Sequence, residues 1–410
     1  MKTITCLISF CLSVLAMHAQ QSFNISFVHD GKTVHGTFKV PAGNKRFKTL
    51  ILAPGSGPND RYGTLPMVGA NTACLYPGLL NDTIRAYDEL SDALQDAGYA
   101  VLIYDKLEYT YPGSMGTITF HKLWLPVESA IDYVKTRSDV DTGNIILLGH
   151  SEGSSLIPYI AKGRKDIRAL ISIAGSRTPF DSTLARQLVY IAQTCGGDVQ
   201  TAQYQADQIL AYFNLIRTNT WNSSTPPLFG VPASAWREYV LATDPVADHY
   251  DVCGLPALFL GLEKDINVPP SELDRFKAEV SVTDDFWKLP SLIHYMTTAD
   301  DPHISKTVPD TIIHWLRSNG FHASMKDVKA IERSVSVKPN PFGSSLTVSV
   351  GEPYNRNCSM RLLDMTGRVI PGITGIKSPQ SFDTGFLDRG VYILQIQTEG
   401  YTICKKLVKH

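Results

Sequence analysis

Six short runs, at residues 48–53, 100–104, 144–148, 169–173, 256–261 and 286–289, are almost unbroken in apolar side chains, and helix-like segments lie between them, notably 82–97 and 122–137. Strands that read as continuous hydrophobic runs are buried on both faces. Crossover helices on each side of a parallel sheet produce that burial. The expectation is an α/β chain whose mostly parallel sheet carries helices on both faces across residues 21–320, closed by a last helix at 308–318. Residues 22–40 alternate apolar and polar around Asp30-Gly31, which reads as a β-hairpin preceding the rhythm.

One interval breaks the rhythm. About eighty residues separate the strand ending at Ile173 from the one starting at Pro256, far more than a simple crossover requires. Tyr204, Tyr212, Phe213, Trp221, Phe229 and Trp236 make this stretch too apolar for a disordered loop, so a helical insertion at 176–252 is expected. It reads either as a structural cap or as a lid that shapes a substrate site, because an insertion at the carboxyl ends of the strands overhangs the place where open α/β sheets bind ligands.

From Ser334 onward short strands recur at 335–337, 346–350, 360–364 and 391–397, with Pro339-Asn340-Pro341, Thr366-Gly367-Arg368 and Arg389-Gly390 between them. That pattern predicts a small β-sandwich at 334–410, joined by a linker at 321–333. At the other end, Lys2, the apolar run 4–15 and the small Ala19 read as a signal peptide over 1–20, so the chain is expected to be exported, with no transmembrane segment once the signal is removed. Removal takes Cys6 and Cys11 and leaves Cys74, Cys195, Cys253, Cys358 and Cys404, an odd number, so at least one thiol lacks a partner within the chain. A formal net charge of -1 and 19% charged residues without a basic stripe give no reason to expect nucleic acid. No cofactor loop and no metal-ligand spacing is found in the sequence.

The pentapeptide Gly149-His150-Ser151-Glu152-Gly153 sits between the apolar strand 144–148 and a helix-compatible run 154–162. A serine on such a sharp turn has its Oγ lifted above the sheet, and the flanking glycines let strand and helix pass close together. A serine hydroxyl becomes a good nucleophile only when a base takes its proton, and a carboxylate then fixes the base. On this kind of sheet the partners follow in the order serine, acid, histidine. Asp265, just after the strand at 256–261, is the expected acid, with Glu263 as competitor and Asp244, Asp248 and Asp251 too early. His294 follows the last strand, His303 is its rival, and His314 falls within the final helix. For the oxyanion, the backbone N–H groups of Glu152 and of Ser56, in the loop Pro54-Gly55-Ser56-Gly57-Pro58-Asn59-Asp60-Arg61, are the candidate donors.

With these residues in view, residues 40–320 resemble the α/β-hydrolase superfamily, and within it bacterial serine esterases that carry a Gly-Ser-Gly-Pro-x-Asp-Arg loop and a Gly-His-Ser-Glu-Gly elbow. Both stand here, at 55–61 and 149–153. Tyr104-Asp105-Lys106 is similar to the start of that family's Tyr-Asp-Lys-Arg-Gly segment, but Leu107-Glu108 replaces the rest. Leu289-Pro290-Ser291-Leu292-Ile293-His294 is similar to the segment that bears the family's histidine, which implies His294 as the base. Residues 334–410 resemble the C-terminal sorting domain of the type IX secretion system of Bacteroidota, through Val337-Lys338-Pro339-Asn340-Pro341-Phe342, Leu363-Asp364-Met365-Thr366-Gly367-Arg368, Gly390-Val391-Tyr392-Ile393-Leu394 and the terminal Lys405-Lys406-Leu407-Val408-Lys409. These resemblances imply a serine hydrolase of small-molecule or polymer-linked carboxylic esters, handled by that secretion machinery and released or attached at the cell surface. A peptidase on the same fold, or a surface binding protein on a hydrolase scaffold, are the alternatives.

Overall fold

The computed structural model describes residues 20–42, 46–280, 285–322, 334–351, 358–375, 378–398 and 401–410. The expected signal peptide lies outside the described residues but for Gln20, and the expected linker but for Phe321 and His322. The chain opens with the hairpin β1 (Gln21–His29) and β2 (Lys32–Val40), turning at Asp30 and Gly31, both at positive φ. After β3 (Phe47–Ala53), a ribbon of β4 (Thr64–Pro66) and β5 (Thr83–Arg85) encloses α1 (Gly69–Leu75). Then α2 (Ala86–Asp96) leads into β6 (Ala100–Tyr104), and α3 (Leu107–Thr110), α4 (Phe120–Trp124) and α5 (Pro126–Lys135) precede β7 (Val140–His150). Next come α6 (Glu152–Ala161) and β8 (Ile167–Ile173), followed by α7 (Phe180–Thr194), α8 (Val199–Arg217), α9 (Ala233–Thr243) and α10 (Val246–Cys253). The sheet then resumes with β9 (Ala257–Leu262), α11 (Ser271–Glu279), β10 (Asp285–Leu289) and α12 (Thr307–Ser318).

Eight of these strands form one sheet in the order β1-β2-β6-β3-β7-β8-β9-β10. Every pairing from β6 to β10 is parallel, and the N-terminal hairpin joins antiparallel through β2 and β6. This is the α/β-hydrolase sheet. Alternate residues of β7 feed opposite cores: Ile145 and Leu147 pack with Trp124, Ile131 and Ile157, whereas Ile146 and Leu148 pack with Leu90, Ile312 and Leu316. All four β7 residues are at most 1% exposed, and such burial contributes about 1.5–3 kcal/mol per side chain. Both faces are therefore covered, which is why the strands carry no polar alternation. Because β3 leads on to β6 on one side while β7 lies on the other, the carboxyl ends of β3 and β7 frame the crevice where such sheets bind ligands.

Two helices differ from the sequence reading. The segment 82–97 is helical only from Ala86, because Thr83–Arg85 pairs with Thr64–Pro66. The segment 122–137 is broken at Leu125, since Pro126 has no N–H and occupies the first position of a new helix.

The C-terminal residues form two sheets, β11 (Val335–Lys338), β12 (Ser345–Val350) and β15 (Gln380–Asp383) in one, and β14 (Val369–Gly375), β13 (Cys358–Leu363), β16 (Gly390–Thr398) and β17 (Tyr401–Lys409) in the other. They share one core, with Phe342, Leu346, Leu362, Leu394 and Leu407 fully buried, and so make a small β-sandwich.

Candidate active site

Ser151 sits between the end of β7 and the start of α6 at φ 53° and ψ -118°. That region is costly for a residue with a Cβ and persists only where the surroundings enforce it. The enforcement is visible at the two glycines: a Cβ on Gly149 would lie 2.5 Å from the carbonyl of Gly153, and one on Gly153 only 2.1 Å from the carbonyl oxygen of Ala53 in β3. Neither position accepts a side chain. The Ser151 N–H donates to the Ile173 carbonyl (2.9 Å), which ties the turn to the neighbouring β8.

His150, just before it, links three loops. Its Nε2 bonds the carbonyl oxygen of His294 (2.9 Å), which requires a proton on Nε2, so Nδ1 accepts from the Tyr87 hydroxyl (2.9 Å). Tyr87 in turn accepts the N–H of Gly55 (3.0 Å). Burial, and secondarily the His294 ring, depress His150 to about 3, so the ring is neutral.

The loops after β9 and β10 bring Asp265 and His294 together. Asp265 Oδ2 bonds His294 Nδ1 at 2.7 Å, and its Oδ1 accepts the N–H groups of Asn267 and Val268, both at 2.8 Å. The Asp265 side chain is wholly buried and that of His294 nearly so. Glu263, the sequence competitor, instead accepts the N–H of Ser291 at 2.9 Å and so braces the turn that carries the histidine. His303 is solvent-exposed and bonds Glu89 (2.8 Å), and it lines neither of the cavities at Ser151.

Ser151 and His294 share a cavity of about 220 Å³, walled by Gly55, Ser56, Tyr87, Gln187, Asn267 and Tyr295. Among the described residues no hydrogen bond joins Ser151 Oγ to His294. Such contacts are commonly loose until substrate binds. A second cavity, of about 100 Å³, opens on the other side of Ser151. It contains Ser56 and Glu152 but not His294, and its outer wall is Phe180, Thr183 and Leu184 of α7 with Tyr239 and Thr243 of α9. Helices from the insertion thus line a cavity that Ser151 also lines. Of the aromatic residues singled out in the sequence, Trp236 is buried beneath this wall, stacked on Phe180 at 5.7 Å, while Tyr204 and Phe229 are exposed.

Both candidate oxyanion donors lie at Ser151. Glu152 N–H belongs to the first residue of α6, whose opening N–H groups have no partner within the helix. Ser56 lines both cavities. Its loop is held at its far end, where Arg61 forks onto Asp105 through bonds of 3.0 and 2.6 Å, and from within, where Asn59 Nδ2 donates to the carbonyls of Gly55 (3.0 Å) and Ser56 (2.9 Å).

Sequence reasoning missed several residues that build this site. Tyr87, Gln187 and Tyr239 carry no local signal. His150 and Lys106 were within the quoted motifs, and only the fold shows what they touch. Cys74 and Cys195 form a disulfide that ties the end of α1 to the end of α7, leaving Cys253, Cys358 and Cys404 as thiols among the described residues. Among the described residues, His29, Asp30 and His121 bring ligand-type atoms within 4.8 Å of one another at the first hairpin, but these atoms bond each other, Ser129 and Glu128, and line neither cavity.

Comparison with known proteins finds two family matches along the chain. Residues 336–410 match the family described as the secretion system C-terminal sorting domain, and residues 127–239 match the C-terminal family of BAAT and acyl-CoA thioester hydrolases. The chain is 24% identical over 294 residues to "Esterase EstD" of Thermotoga maritima, a match covering 68% of this chain and 65% of the relative, so less than two thirds of that protein is spanned. Among solved structures, the esterase domain of a Rhodothermus marinus protein is similar with a TM-score of 0.44 at 16% identity, covering 72% of this chain and 98% of that one. Est1E of Butyrivibrio proteoclasticus is similar with a TM-score of 0.45 at 16% identity, covering 72% and 97%. Among the described residues no helix is long and apolar enough to cross a membrane.

Proposed function

We propose that this chain, an α/β-hydrolase by fold with a secretion sorting domain at its C-terminus, is an exported serine hydrolase that cleaves carboxylic esters through an acyl-enzyme on Ser151. The observation that carries the reading is the 2.7 Å bond from buried Asp265 to His294, whose imidazole faces the same cavity as a serine held at positive φ.

In this reading His294 Nε2 takes the proton of Ser151 as the Oγ attacks the acyl carbon, and Asp265 holds the imidazole in the needed tautomer and stabilises its charge. The N–H groups of Ser56 and Glu152 receive the developing oxyanion. The imidazolium then hands its proton to the departing alkoxide, so the alcohol part occupies the larger cavity beside His294. Water enters by the same route and attacks the acyl carbon as His294 takes its proton, and the imidazolium returns that proton to Ser151 Oγ as the acid is released. The acyl part occupies the cavity of about 100 Å³ under α7 and α9, which makes the insertion 176–252 a substrate-shaping lid.

The domain plan that goes with this is a signal peptide at 1–20, a hydrolase domain at 21–320, a linker at 321–333 and a sorting domain at 334–410 that engages the type IX machinery for release or surface attachment. The disulfide between Cys74 and Cys195 fits an oxidising destination. The test is Ser151→Ala. Turnover of a short p-nitrophenyl ester should vanish with the thermal melt unchanged, and a fluorophosphonate probe should label the parent protein but not the variant. Retained turnover refutes the assignment.

A further inference from the structure

We propose that Lys106 is a positioning residue that aims both oxyanion donors, by holding the Gly55–Ser56 peptide and the Glu152 side chain with one buried ammonium; this rests on the acyl-enzyme reading above.

Lys106 follows β6 and its side chain is 6% exposed. Its Nζ donates to the Gly55 carbonyl at 3.0 Å and to Glu152 Oε2 at 3.2 Å, and Glu108 Oε2 lies 3.0 Å away as an ion-pair partner. Burial alone would depress this ammonium, but Glu108 and Glu152 outweigh it and hold it above its ordinary value, so the charge is kept.

The contact with Gly55 reaches the reaction through one rigid unit. The Gly55 carbonyl and the Ser56 N–H are the two ends of a single trans peptide plane and point in opposite directions. Lys106 pins that oxygen from the β6 side, together with Asn59 Nδ2 from within the loop, and so fixes where the N–H points. It also draws electron density toward the oxygen and leaves the N–H a stronger donor, since hydrogen bonds along a chain polarise one another. Gly55 lies close against the site, since a Cβ there would sit 3.3 Å from Ser151 Cβ and 3.4 Å from His150 Nδ1, and its own N–H is spent on Tyr87.

The contact with Glu152 acts on the second donor. The carboxylate is held by Lys106 and by Trp124 Nε1 (3.0 Å), which fixes the first residue of α6 and hence its N–H beside Ser151. A buried ion pair is weak evidence of net stabilisation. A pair whose two ends sit on the two halves of one anion site has a different use, which is to set their separation.

The test is Lys106→Met, assayed with an ester and its thionoester, in which sulfur replaces the carbonyl oxygen. Losing one oxyanion donor outright costs about 10²–10³ in kcat, so a misaimed pair should cost about 10- to 100-fold, with KM within about twofold. N–H donors stabilise an oxyanion far better than a thiolate-like sulfur, so the ester should be slowed more and the ester-to-thionoester ratio of kcat should fall about tenfold. A merely structural role would slow both substrates equally. A folded variant with unchanged kcat, or with an unchanged ratio, overturns the proposal. If Lys106→Met does not fold, the triple variant with Glu108→Gln and Glu152→Gln strands no carboxylate and carries the same test. Ester turnover surviving in Ser151→Ala would remove the catalytic reading itself, whereas a silent Ser151→Ala with an unmoved thionoester ratio removes only the role of Lys106.

Discussion

Replacing Asp265 by Asn changes one atom and should cost about four orders of magnitude in kcat, for a reason visible in the loop around it. Oδ1 of Asp265 accepts two backbone N–H groups, from Asn267 and Val268, and Oδ2 faces His294 Nδ1 at 2.7 Å. An asparagine must keep its oxygen on the two N–H groups. Turning its NH₂ toward them would strand both donors in a buried site, at about 1–3 kcal/mol each. The amide nitrogen is therefore forced against Nδ1, which becomes the acceptor, and the imidazole carries its proton on Nε2. That tautomer has no lone pair to offer the serine hydroxyl.

A wrong-tautomer imidazole of this kind lowers kcat by about 10⁴, equivalent to about 5 kcal/mol of transition-state stabilisation at 1.36 kcal/mol per tenfold. The shape is conserved and both loop bonds survive, so KM and the thermal melt should hardly move. Steady-state kinetics on a p-nitrophenyl ester, with far-UV melting of the same sample, provide the measurement. Asp265→Ala is the contrast, because it also frees the two N–H groups and should lower the melt. A folded Asp265→Asn that keeps more than a tenth of kcat refutes the reasoning, since His294 would then be oriented by something else.

Three further outcomes follow from the same contacts. His294→Ala should lower kcat by at least about 10²–10⁴-fold, whereas His303→Ala, an exposed residue paired with Glu89, should leave kcat within about twofold; the reverse pattern would exchange the two assignments. His150 is depressed to about 3 against an ordinary 6.5, so between these values the unfolded chain binds a proton that the folded one refuses. Its contribution to stability is intact above 6.5 and falls by about 1.4 kcal/mol per pH unit below it. Urea unfolding at pH 7.5 and 5.5 should show a pH-dependent loss smaller by about that amount in His150→Gln, and equal losses would contradict it. Finally, Cys74→Ser with Cys195→Ser opens a link between residues 121 apart and should lower the unfolding free energy by about 2–4 kcal/mol, read by denaturant titration; an unchanged midpoint would show that the bond does not restrain the unfolded chain.

The sheet was legible because burial on both faces leaves a mark in one dimension. Residues 100–104 are apolar throughout, and the structure makes the same five residues β6. The hairpin at Asp30-Gly31 was legible because its turn demands positive φ. The ribbon at Thr64–Pro66 and Thr83–Arg85 was not, since three-residue strands held by a distant partner have no period to detect. The strands β14, β15 and β17 were missed for related reasons: Val369–Gly375 holds a proline and two glycines, Gln380–Asp383 is four residues long, and Tyr401–Lys409 carries three lysines.

At the site, residues whose role depends on backbone geometry could be named in advance. Gly149 and Gly153 are required by close approach, and Ser151 is marked by its place between them on the turn. Residues whose role depends on what they touch could not. Tyr87 reaches Gly55 and His150 from 32 and 63 positions away, and Gln187 projects from the insertion into both cavities.

The unnamed residues have a common place in the fold. In the proposed site the nucleophile and the Glu152 donor share one turn, but the Ser56 donor and the base come from separate loops after β3 and β10, which have no covalent reason to stay in register. His150 bridges those two loops, through Tyr87 to Gly55 on one side and directly to the His294 backbone on the other. Lys106 joins the β3 loop to α6, and Asp105 next to it grips Arg61 at the far end of the same loop. A site needing alignment within about half an ångström requires this kind of support. Each brace is a neutral imidazole or a compensated charge at a strand end, where backbone polar groups of the loops are available to bond. Small glycine-rich loops can then approach the serine closely without the freedom that glycine would otherwise give them.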